Sequence, residues 1–262
     1  MKLAKRIVKI LFIAAFWFGI WALVAHLVGK PALFPAPWTV LARLWQLLGA
    51  PQFYLITLRS LWSVLLGILI AVLGGSLLAA VTAHVPWIRA LLLPLMSVVK
   101  ATPVASFIVL SLIWIGSASV PTFITLLIVL PVVWTNLDEG FSRIDPKLSE
   151  VARLYRFSFG KRLRLLTLPS LKPYFVSGCR TSLGLAWKAG IAAEIIAMPR
   201  DTIGTAIGNA KQYIEYVDVF AWTLTVILLS LAIEFIFASL ISRLGEHKKR
   251  PARKEAAHAE DS

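Results

Sequence analysis

Few residues in this sequence could do chemistry, and they occur in two contrasting settings. Some ionisable side chains fall inside long apolar runs, among them Lys100, Arg180, Lys188, Glu194 and Glu234. A charge held in lipid is costly, so each needs a partner or a task. The second setting is residues 138–172, whose cations are Arg143, Lys147, Arg153, Arg156, Lys161, Arg162, Arg164 and Lys172. A polar stretch of that length between apolar runs is usually functional. No His/Asp/Glu cluster or Ser/His pairing has catalytic spacing. His26, His84, His247 and His258 are scattered, so no metal ligand set is expected. The single cysteine, Cys179, excludes an intrachain disulfide and reads as a small packing residue.

The elements that must position these groups are membrane helices. Of 262 residues, 58% are apolar, and the mean hydropathy is +0.79. Runs of the roughly 20 apolar residues needed for one crossing recur along the chain. They do not alternate as barrel strands would. The fold class is therefore an all-α polytopic membrane protein with six transmembrane helices. Its spans are expected near 7–28, 57–83, 88–115, 120–137, 174–198 and 218–241. The third is interrupted by Pro94 and by Lys100-Ala-Thr-Pro103, because proline removes a backbone donor and perturbs the residue before it. In the second, Gly67, Gly74, Gly75 and Ser76 would let neighbouring helices approach closely. Between the first two spans, Val40, Leu41, Leu44, Leu47 and Leu48 recur at helical spacing, opposite Arg43 and Gln46. This predicts an interfacial helix with Trp38 and Trp45 at headgroup level. Residues 116–119 form a tight turn, and Gly204 and Gly208 break the 199–217 segment.

The formal net charge of +14 would point to nucleic acid in a soluble protein. Here the cations flank apolar runs and record orientation instead, so no nucleic-acid partner is expected. The N-terminus, residues 84–89, residues 138–172 and the tail carry nineteen of the 27 Lys and Arg residues; the opposite side carries Lys30, Arg43, Arg59, Arg200 and Lys211. That excess puts both termini and the 138–172 loop in the cytoplasm. The domain reading is a basic N-terminus at 1–9, a membrane domain at 10–243 and a disordered charged tail at 244–262.

Within the loop, Asp145 is an N-cap and Pro146 a first helical residue. Leu148, Val151, Ala152 and Tyr155 would share one helix face, with Glu150 and Arg153 at the rim. Phe157-Ser158 reads as a corner, and residues 160–168 as a second short helix closed by Pro169. The two would form a compact knob.

Glu150-Val-Ala152, followed by Leu168-Pro169, resembles the cytoplasmic "EAA" coupling loop of ABC importer permeases. The wider chain, over about 10–243, is similar to the nitrate, sulfonate and taurine branch. The supporting stretches are Phe34-Pro-Ala-Pro-Trp38, Ala101-Thr-Pro103 with Trp114-Ile-Gly116, and Leu183-Gly-Leu-Ala-Trp187. The resemblance implies a permease subunit without enzymatic activity, in a prokaryotic plasma (inner) membrane. Its implied partners are a second permease copy, two copies of a separate ATPase and an extracytoplasmic substrate-binding protein, besides membrane lipid. No Gly-rich loop ending in Gly-Lys-Ser/Thr occurs here, so ATP and Mg²⁺ would be bound by the partner ATPase, and no cofactor is expected in this chain. The ATPase-coupling residues it implies are Glu150, Val151, Ala152, Arg153, Tyr155, Arg156, Gly160, Leu168 and Pro169. The family pattern has glycine where this sequence has Arg156. Glycine there would permit a left-handed corner, and Gly160 is the nearby candidate for a related role.

By helix rise, Arg180 and Glu234 lie at similar depth, about 9 Å inside the membrane, which predicts an ion pair. Lys100 and Lys188 both fall near mid-membrane, beside Thr102-Pro103 and Trp187. Two cations at one depth would suit a small anion in a substrate pathway lined by Lys100, Thr102, Pro103, Trp187 and Lys188. Alternatively, Lys188 pairs with Glu194, or Lys100 lines an inner vestibule. A different class of reading is an ion-coupled secondary transporter or channel, for which the basic loop has no evident use.

Overall fold

The computed structural model describes residues 2–245; the expected tail from 246 onward lies outside the described residues. Every regular element among them is helical. In chain order they are α1 (Lys2–Val28), α2 (Pro37–Leu48), α3 (Pro51–His84), α4 (Pro86–Ala101), α5 (Val104–Ile115), α6 (Val120–Ser142), α7 (Pro146–Leu154), α8 (Phe159–Arg162), a π-helical turn (Leu163–Thr167), α9 (Leu168–Ala197), α10 (Ile203–Gln212) and α11 (Tyr216–Gly245).

The centre is a three-helix layer in which α6 packs along both α3 and α9. Small residues explain the close fit. A Cβ at Gly67 would lie 2.6 Å from the Thr122 carbonyl oxygen, and one at Gly190 would lie 2.5 Å from Val64 Cγ2. Neither helix could approach so closely with a larger side chain at those points. Val64, Ala71, Val129, Val133, Trp134, Ala186 and Trp187 fill the shared core. Trp134 donates from Nε1 to Thr82 Oγ1 at 3.2 Å, so its one polar atom is satisfied between α6 and α3.

Helix α1 stands at the edge, with Leu11, Phe12 and Trp17 exposed. It is tied in by Trp21, which donates to the Pro35 carbonyl at 3.2 Å and stacks on Phe220. Helix α2 is amphipathic, with Val40 and Leu44 buried and Trp38 and Trp45 exposed, but Leu41 and Leu48 of the expected apolar face are exposed as well. Arg43 is more than a solvated face. It makes a forked pair with Asp218 at 2.6 and 2.8 Å, tying α2 to α11. Hydrogen bonding to that carboxylate holds the Arg43 guanidinium above its ordinary pKa.

Among the described residues, four helices are long and apolar enough to cross a membrane, or five if α4 and α5 count as one bent span. The expected third span is broken at Thr102-Pro103 as read, with α5 bent by 104° from α4, whereas Pro94 stays inside α4 and does not interrupt it. Pro103 has no N–H for the carbonyl four residues back, and Thr102 is extended at φ −76°, ψ 136°. At about 1.5 Å per residue, neither half covers a bilayer alone. Helix α9, with 30 residues, has the length to cross. It also carries Lys172, Arg180, Lys188 and Glu194 along it. Glu194 lies on the buried side of α9, which packs against α3, α6 and α11, while Lys172, Arg180 and Lys188 lie on its exposed side.

Two further expectations are corrected. Pro169 does not close a helix. The path from Phe159 runs through the π turn into α9 without a break, with Leu168 N–H bonded to the Leu163 carbonyl. A wider turn is one way a helix absorbs residues that interrupt its i→i−4 ladder, and Pro169 and Pro173 both lack the amide hydrogen. Gly204 and Gly208 are not breakers either, since both lie inside α10. A Cβ at Gly204 would fall 2.2 Å from Glu194 Cβ, so this glycine serves close packing rather than chain reversal.

Candidate functional sites: the 143–167 knob and the cavity at the broken helix

The knob sits where α6 ends and α9 begins. Its entry is capped as the sequence reads: the Asp145 carboxylate accepts from the Lys147 N–H at 2.8 Å, and Pro146 opens α7. Its exit is a Schellman turn. Phe157 N–H bonds to the Ala152 carbonyl at 2.9 Å, and Arg156 N–H to the Arg153 carbonyl at 3.0 Å. Arg156 takes the left-handed conformation itself, at φ +47°. The corner therefore falls where the family pattern places glycine, and Gly160 lies within α8 with no such role. The Lys161 ammonium then sits 4.4 Å over the Phe157 ring.

The four residues expected on one face of α7 separate. Ala152 is buried at 5% exposure, while Leu148, Val151 and Tyr155 face outward. With Leu154 at 82%, Tyr155 at 71% and Phe159 at 79% exposed, the knob presents an apolar tip. Glu150, Arg153 and Arg156 are exposed beside it, as are Leu168 and Pro169 further along. Exposed apolar groups concentrated on so polar a segment mark a contact surface.

The base of the knob is fixed by an ion pair that sequence reading missed. Arg89, at the start of α4, makes three hydrogen bonds of 2.8–3.0 Å to the nearly buried Asp138 of α6. The available signal was a carboxylate at the end of one apolar run and a lone arginine in the facing connection.

The second site is a cavity of about 440 Å³ at the α4–α5 break. Lys100, Thr102 and Lys188 all line it, with Pro131, Leu185 and Ala192 among its apolar walls. Three of the five expected pathway residues thus meet at one place. Lys100 Nζ donates to Thr135 Oγ1 at 2.6 Å, and Thr102 Oγ1 caps α4 by donating to the Val98 carbonyl at 2.8 Å. Pro103 supplies the bend as the residue before α5. Trp187 belongs elsewhere. It is 2% exposed and donates to the Val226 carbonyl at 3.0 Å, so it packs α9 against α11.

The expected Arg180–Glu234 ion pair is not formed among the described residues; Glu234 instead lies beside Gly184. Nor does Lys188 pair with Glu194. That carboxylate is wholly buried at the end of the bundle away from the knob. Its Oε2 accepts from Ser60 Oγ at 2.8 Å and from Gly204 N–H at 2.9 Å. Ser60 Oγ in turn accepts from Ile203 N–H at 2.8 Å. Glu194 and Ser60 together satisfy the first amides of α10, a position where negative charge is favoured. Arg59 and Asp201 pair at 2.5 Å nearby.

An all-helical bundle with several helices long and apolar enough to cross a bilayer, and a charged knob between α6 and α9, defines a membrane protein. Residues 71–246 match the family described as the binding-protein-dependent transport system inner membrane component, and the chain belongs to that family. Among its relatives is the riboflavin transport system permease protein RibX of Chloroflexus aurantiacus, 27% identical over 86% of this chain and 84% of that protein. The taurine transport system permease protein TauC of Escherichia coli is 28% identical over the same shares. A putative aliphatic sulfonates transport permease protein, SsuC of Bacillus subtilis, is 26% identical over 81% of this chain and 78% of its own length.

Proposed function

We propose that this chain is the membrane-spanning subunit of an ATP-driven importer, working as a pair of copies with a separate ATPase and an extracytoplasmic binding protein. In this reading α4–α5 and α9 complete six spans, and both termini and the knob face the cytoplasm. The observation that carries it is the knob. A rigidly capped, two-helix projection with an apolar tip joins α6 directly to α9, the two helices that share the core. A motor moving residues 145–168 would therefore move the centre of the bundle as a rigid element. ATP and Mg²⁺ would be held by the motor. Small solutes bearing an anionic group are favoured because Lys100 and Lys188 share the cavity at the α4–α5 break; taurine and aliphatic sulfonates, named among the relatives, both carry a sulfonate.

Co-purification tests the coupling. The chain, expressed with its cognate ATPase, is expected to retain that subunit, and Glu150→Arg combined with Tyr155→Ala should release it while leaving the helical content unchanged. Retention by the double variant would end the coupling reading. For the solute, Lys100→Met with Lys188→Met should abolish uptake at matched expression; undiminished uptake would remove the anion pathway.

A further inference from the structure

A cavity of about 1310 Å³ lies at the knob end. It lies between the ends of α3 and α6, the start of α4, and the arm running from α8 through the π turn into α9. Its lining is divided. Leu137, Phe141, Leu168 and Phe175 supply an apolar wall, and Arg89, Arg162, Arg164 and Lys172 supply positive charge. The one carboxylate in the lining, Asp138, is already engaged by the three hydrogen bonds from Arg89. The guanidinium groups of Arg162 and Arg164 have no hydrogen bond or ion pair among the described residues.

We propose that this cavity holds the headgroup end of an anionic phospholipid. The cavity is at the level where the apolar helices α3 and α6 end, which is headgroup depth. Basic pockets between membrane helices take up anionic headgroups in this way. A phosphodiester accepts hydrogen bonds from a guanidinium fork, and the glycerol and upper acyl chains cover the apolar wall. A free phosphate would leave that wall bare, and a zwitterionic lipid would bring its own headgroup cation among Arg89, Arg162, Arg164 and Lys172. The lipid would then brace the arm that joins the knob to α9. This goes beyond the importer reading and holds whatever the solute or motor.

Native mass spectrometry on the purified full-length chain tests it, with phosphatidylglycerol, phosphatidylcholine and inorganic phosphate as probes. One phosphatidylglycerol per chain should survive a detergent wash that strips phosphatidylcholine. Excess inorganic phosphate should not displace it. Arg162→Gln with Arg164→Gln should cut retention roughly 30-fold, two surface cations' worth, and Arg162→Lys with Arg164→Lys should restore most of it. Lys147→Gln, outside the cavity, should change nothing. Equal retention of the two lipids by the wild-type chain overturns the proposal without recourse to any variant. Displacement by phosphate, or wild-type retention by the Gln pair, overturns it as well.

Discussion

Arg156 shows how one residue can keep a fold feature at a cost. A side chain at φ +47° crowds the following carbonyl, and relief of that contact by glycine is about 1 kcal/mol. Arg156→Gly should therefore raise the thermal midpoint of the purified protein, and Arg156→Val should lower it; a fall with glycine would show that the guanidinium contributes more than the backbone loses. Glu194 is the opposite case, a wholly buried carboxyl that costs desolvation but whose Oε2 joins Ser60 to the start of α10. Glu194→Ala strands the Gly204 amide and removes the acceptor for Ser60, at about 1–3 kcal/mol. Glu194→Gln keeps an acceptor oxygen and should recover most of the loss in the same unfolding assay. The sequence showed Glu194 only as a charge within an apolar run. Its partners, Ser60 and Gly204, are distant in the chain and carry no charge to announce them.

At the scale of elements, the sequence was most informative where local chemistry acts alone. The Asp145-Pro146 start of α7, the amphipathic α2 and the Thr102-Pro103 interruption all follow from caps, periodicity and the missing proline amide. How far the third span bends does not, because that angle depends also on the room left by α6 and α9. Pro103→Ala restores the missing donor. Spin labels at Leu93 and Ile113 should then move apart in double electron–electron resonance as α4 and α5 straighten. An unchanged distance would assign the bend to tertiary packing alone. The closure expected at Pro169 failed for a related reason: a π turn let the chain remain helical through a residue that usually ends a helix.

Over the whole molecule, the all-helical membrane character, the polar knob and the family likeness were legible in composition, spacing and the Glu150-Val-Ala152 and Leu168-Pro169 motifs. These are properties of hydropathy and local backbone preference, which act on contiguous residues. Which charges meet was not legible. Depth arithmetic put Arg180 opposite Glu234, but height along a helix says nothing about which way a side chain faces. Rotation about each helix axis is settled by close contacts such as Gly67 against Thr122 and Gly190 against Val64. Those contacts bring Lys100 and Lys188 to one cavity, turn Trp187 toward α11, and bury Glu194 against α10. The sequence alone thus determined what kind of helices these are and where local caps and prolines such as Asp145-Pro146 and Thr102-Pro103 shape the chain. Only the tertiary structure decided their facing, because facing depends on steric fit between residues far apart in the chain.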